Sequence, residues 1–99
     1  MATIAAGCDH GGFSLKTLLI EHLTESGHDV LDLGTYTNER VDYPDFAHKL
    51  AGNIKDGRSD RGVLICGSGI GISMAANRHP EIRAALVHDA LGAKMCRQH

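Results

Sequence analysis

Ninety-nine residues, 42% hydrophobic and 22% charged, suit one small domain (1–99) with a thin core and do not suit a disordered chain. A formal charge of −2, with ten Lys and Arg residues dispersed rather than bunched beside aromatics, argues against nucleic acid as a partner. Met1-Ala2-Thr3-Ile4-Ala5-Ala6 runs into a strand-like segment with no basic head or long apolar stretch, so no secretory signal, no membrane and a cytoplasmic location are expected.

Along the chain, apolar strand-like runs alternate with helical patterns. Thr3 to Gly7 reads as a first strand. Phe13 to Ser26 reads as a helix with Leu15, Leu18, Leu19 and Leu23 on one face, and Gly27 stands where a left-handed C-cap belongs. Asp29 to Leu33 is a second strand. Pro44, at a first helical position, opens a helix to Lys55 that buries Phe46, Ala47, Leu50, Ala51 and Ile54 before Gly57. Gly62 to Cys66 reads as a third strand, 70–77 as a helix and Arg83 to Val87 as a fourth strand. This β–α repetition predicts an α/β fold with a parallel sheet and right-handed crossovers. No repeat, linker or low-complexity segment interrupts it.

Ligands of open parallel sheets sit beyond the carboxyl ends of the strands. Gly7 to Gly12, Gly34-Thr35-Tyr36, the loop from Cys66, and His88-Asp89 fall there. Cys66-Gly67-Ser68-Gly69-Ile70-Gly71 is the most informative stretch: a thiol, then alternating glycines, then a helix start. Converging N–H groups and a positive dipole end offer an anion site, and that field favours the Cys66 thiolate, the form that acts as base or nucleophile. The competing reading is a small buried hydrophobe. Asp9 and His10, flanked by glycines, form either an acid–base or anion-contacting pair, or a capping carboxylate beside a solvent-facing imidazole. In Val41-Asp42-Tyr43-Pro44-Asp45, Asp42 caps the second helix or Tyr43 lines a pocket. Cys8 lies in a loop beside Asp9, and Cys96 is filler on a helical stretch.

Three cysteines without CxxC spacing imply free thiols and no structural zinc. Seven histidines without HExxH or an i, i+4 pair give no support for a metal, and His22, His28, His48 and His79 read as surface residues. No cofactor is expected: position 72 is Ile where a dinucleotide fingerprint needs Gly, and the Gly-Lys-Ser/Thr of a phosphate loop is absent. An oxyanion-binding loop beside a thiol base fits better, since proton abstraction next to a carbonyl needs a base and donors aimed at the enolate oxygen.

Asp9-His10-Gly11-Gly12-Phe13, Val41 to Asp45, Cys66 to Gly71, and Arg83-Ala84-Ala85 with His88-Asp89, in that order, closely resemble motifs of the ribose-5-phosphate isomerase B family and its galactose-6-phosphate isomerase relatives. The resemblance implies a Rossmann-like three-layer sandwich and a metal-free aldose–ketose isomerase of ribose 5-phosphate in the pentose phosphate pathway. It also implies a homodimer or dimer of dimers with shared active sites. Cys66 would move a proton between C1 and C2. Gly67, Ser68, Gly69, Ile70 and Gly71 would hold the oxyanion, Asp9 and His10 would contact the sugar phosphate, Tyr43 would line the pocket and His99 would open the furanose ring. The family continues past this histidine into an asparagine-containing loop, a last strand and a C-terminal helix with phosphate-binding arginines. The sequence ends at Gln98-His99, so a fold lacking that strand and helix is expected. The rivals are galactose- or allose-6-phosphate isomerisation and a non-catalytic anion-binding or partner subunit.

Overall fold

The computed structural model describes residues 2–99. Its sheet has three parallel strands, β1 (Thr3–Cys8), β2 (Asp29–Asp32) and β3 (Arg61–Ile65), in the order β2-β1-β3. Helix α1 (Phe13–Glu25) joins β1 to β2 and α2 (Tyr43–Lys55) joins β2 to β3, followed by α3 (Ile70–Asn77) and α4 (Ala90–Gln98). The chain steps from β1 to one side and then back across it, so right-handed crossovers put α1 and α2 on opposite faces, giving three layers. The contacts agree: α1 lies on β1 and β2, while α2 lies on β1 and β3 and packs along α3.

Covered on both faces, β1 carries small side chains that let the helices approach. Ala5, Ala6 and Cys8 are buried. A second cluster, Ala47, Ile72, Ala75 and Ala76, joins α2 to α3, with Leu64, Cys66, Ile82 and Ala84 packed against it.

Most strand and helix ends fall within a residue of those expected, and two shifts matter. Cys8 is the last residue of β1 rather than part of a loop, and Cys66 is the first residue beyond β3. Two expectations are corrected. Arg83–Val87 is not a strand: the Asn77 side chain accepts from Ala84 N at 2.7 Å and donates to Ala84 O at 2.8 Å, occupying groups a neighbouring strand would use. Asp89 accordingly caps α4, accepting from Gly92 N at 2.7 Å. On α1 only part of the leucine face packs, with Leu19 and Leu23 half-buried. Leu15 and Leu18 are 58% and 62% exposed, and the helix turns Phe13, Lys16, Ile20 and Leu23 inward.

Between β1 and α1, His10–Gly12 forms a single 3-10 turn lying flush on the end of β3. A Cβ at Gly12 would stand 2.5 Å from the Ile65 carbonyl oxygen, a backbone atom that cannot swing away. Gly12→Ala should therefore cost about 1–3 kcal/mol in urea unfolding through overpacking; an unchanged midpoint would show that the turn can lift from the strand freely.

Candidate active site

Strand register builds the site. Cys8 stands opposite Ile65 in the β1–β3 ladder, so the next residue on each strand, Asp9 and Cys66, leaves the sheet side by side. Asp9 N–H donates to Ile65 O at 3.3 Å, which holds the two chain exits together. The Cys66 thiol donates to Asp9 Oδ2 at 3.1 Å, while Asp9 Oδ1 accepts from Gly11 N at 2.9 Å. The capping reading of Asp9 is met by one oxygen, while the other faces the thiol. Asp9 as a residue is 6% exposed.

The glycine loop follows directly, and backbone groups of Gly67 and Gly69 reach the sulfur. Gly69 takes φ +81°, a left-handed conformation, immediately before α3. Ser68 is exposed, and its Oγ accepts from Ile70 N at 3.2 Å, leaving the hydroxyl hydrogen to point elsewhere. Tyr43, the first residue of α2, lies on the end of this loop: a Cβ at Gly71 would come within 2.7 Å of its Cζ. Asp42 occupies the N-cap position without a side-chain capping bond, so what this segment brings to the rim is Tyr43. The His10 ring is exposed and ties a second loop to the rim, its Nδ1 accepting from Val41 N at 3.3 Å. With Nδ1 accepting, the neutral ring presents Nε2–H as a donor.

The expectation of a thiolate at Cys66 is overturned. Burial pushes the thiol above its usual pKa, and the Asp9 hydrogen bond and charge push the same way. Backbone groups of Gly67 and Gly69 pull it down, but less. The glycine loop therefore favours the thiolate but is outweighed by burial first and by the Asp9 carboxylate second. Cys8 is also raised, chiefly by burial, with Lys16 opposing.

Asp9, Cys66, the 67–71 loop, Tyr43 and His10 thus share one rim. His99 does not line it. Exposed at the end of α4, it borders a hollow of about 570 Å³ with Asn77, Arg83 and Arg97, whose lining includes neither Cys66 nor Asp9. His48 and His79 meet through ring nitrogens 2.7 Å apart, and His28 accepts from Ala2 N. All three cysteines are free. Among the described residues no group of three or more His, Cys, Asp or Glu could hold a metal ion, and no helix is long and apolar enough to cross a membrane. Sequence reasoning missed Lys16, which is 1% exposed. Its signal was its place at i+3 from Phe13 and i−4 from Ile20, on the face that packs.

A family model described as Ribose/Galactose Isomerase matches residues 4–99. The chain is 48% identical over all 99 residues to ribose-5-phosphate isomerase B of Escherichia coli strain K12, and spans 66% of that protein. It is 42% identical over 96 residues to a galactose-6-phosphate isomerase subunit of Clostridium acetobutylicum, covering 97% of the chain and 56% of the relative. A solved structure of Clostridium thermocellum ribose-5-phosphate isomerase B superposes with a TM-score of 0.96 at 49% identity, covering 98% of this chain and 66% of the other. The chain therefore spans about two thirds or less of the length of these relatives.

Because Asp9 raises the thiol, Asp9→Asn should lower the Cys66 pKa and speed its alkylation by iodoacetamide at neutral pH, while wild-type Cys66 reacts no faster than Cys96. Slower alkylation in Asp9→Asn would mean that the carboxylate activates the thiol instead.

Proposed function

Because the chain belongs to the ribose/galactose isomerase family, we propose that it is the site-bearing part of a sugar-phosphate isomerase interconverting ribose 5-phosphate and ribulose 5-phosphate. The observation that carries this reading is the Cys66–Asp9 contact at the head of the glycine loop. Isomerisation needs a group that takes a proton from one carbon and returns it to its neighbour, together with donors for the enediolate oxygen. Cys66 is the base at C1 and C2. Since its thiol rests protonated, it must first give up that proton, and Asp9 Oδ2 is placed to take it. Backbone groups of 67–71 and the Ser68 hydroxyl hold the developing oxyanion.

The Nε2–H of His10 contacts the sugar phosphate and Tyr43 closes the pocket side. Asp9, with both oxygens engaged and a charge that repels phosphate, serves the thiol. Ring opening precedes enolisation, because the cyclic sugar has no carbonyl to acidify the neighbouring C–H. We assign that step to His99 and, since it lies away from Cys66 in its own chain, to the His99 of a second copy in a homodimer or dimer of dimers with shared sites. The free cysteines suit a reducing compartment, and we place the enzyme in the cytoplasm and its reaction in pentose phosphate metabolism. The likeness to a galactose-6-phosphate isomerase subunit supports a second reading, a six-carbon aldose 6-phosphate as substrate.

Assays with both sugar phosphates decide between them. Turnover of ribose 5-phosphate should exceed that of the six-carbon substrate, and comparable rates would sink the pentose assignment. Cys66→Ala should lose roughly 10²–10⁴-fold in rate with the fold intact, and Ser68→Ala should lose less. Full activity in Cys66→Ala would remove the thiol from the mechanism.

A further inference from the structure

Lys16 is more deeply buried than Asp9, yet the chemistry above makes no use of it. Its ammonium is paired with Asp32 Oδ1 and stands 5.9 Å and 5.3 Å from the ring centres of Phe13 and Tyr36. Such a pair is a poor source of stability, because desolvation offsets most of the attraction and apolar side chains of similar volume often do as well. What it supplies is direction.

The oxygen that Lys16 holds also accepts from Gly34 N at 3.0 Å, and the Tyr36 hydroxyl donates to Asp32 O at 2.9 Å, so the end of β2 is gathered around one carboxylate. Gly34 O accepts from Cys8 N at 2.8 Å, and Thr35 N donates to Cys8 O at 2.9 Å. The next residue is Asp9. An unbroken series of bonds thus leads from the ammonium through Asp32, Gly34 and Cys8 to the carboxylate facing the thiol. We propose that Lys16 is a positioning residue: by fixing Asp32 it seats the Gly34–Thr35 turn against Cys8, and so sets the place from which Asp9 meets Cys66. The importance of this for turnover rests on the isomerase reading; the placement itself does not.

Without the ammonium, the Asp32 carboxylate, already 38% exposed, turns to water and releases Gly34 N–H. The turn then loosens, the contact between sulfur and Asp9 lengthens, and the thiol loses what holds its proton. A direct field effect has the opposite sign, because deleting a cation makes a thiol harder to ionise.

The test is the rate of Cys66 alkylation by iodoacetamide between about pH 6 and 10, read by peptide mass spectrometry on variants with wild-type circular dichroism. Lys16→Met should move the midpoint to lower pH by about 0.5, about threefold more thiolate at neutral pH. Lys16→Met/Asp32→Leu, which leaves no unpaired charge and carries the test if the single variant does not fold, should move it likewise. In an Asp9→Asn background the Lys16 substitution should move nothing further. An unchanged midpoint, a shift to higher pH, or an equal shift with and without Asp9 overturns the proposal. Failure of the isomerase reading would instead appear as a wild-type protein that turns over no sugar phosphate, with this result untouched.

Discussion

The hydrogen bond from Cys66 to Asp9 joins residues 57 apart in sequence, and it depends on the register of two parallel strands. Side chains alternate along a strand, so a slip of one residue between β1 and β3 would present different groups at the rim. Other features of the site support this contact. Gly12 lets the 3-10 turn lie against Ile65 O, Gly11 N takes the second Asp9 oxygen, and the Gly34–Thr35 turn braces Cys8 from the opposite side. Asp9 is held directly from β3 and from the turn that follows it, and through Cys8 from the Gly34–Thr35 turn.

That arrangement changes the chemistry expected of the thiol. A helix start and a glycine loop, taken alone, lower a cysteine pKa. Here burial and an adjacent carboxylate raise it, so the resting group is a protonated thiol hydrogen-bonded to a base. The contact places a proton donor and an acceptor within reach of each other at the rim. It also divides the rim electrically: the Asp9 carboxylate lies inward, while the His10 ring is exposed.

Much of this was legible in the sequence because it is local. The strand–loop–helix reading of Val63 to Asn77, the stripe on α2 and the glycines around Asp9 follow from periodicity and turn chemistry, and the structure places them as read. What was not legible depends on neighbours distant in the chain. The inner face of α1 carries Lys16, paired with Asp32 on β2, so Leu15 and Leu18 pointed to the wrong side. Arg83–Val87 has strand composition, but Asn77 takes the backbone groups of Ala84. The thiol's protonation could not be read at all without the carboxylate opposite, since dipole and burial act in opposite directions and only distance decides between them.

The protonation state of Cys66 at neutral pH is the most direct test, and the infrared S–H stretching band reads it. A difference spectrum between the wild type and Cys66→Ala should show a band lost with the sulfur, red-shifted by donation to a carboxylate and moving back in Asp9→Asn. No S–H band attributable to Cys66, and hence a resting thiolate, would contradict the account.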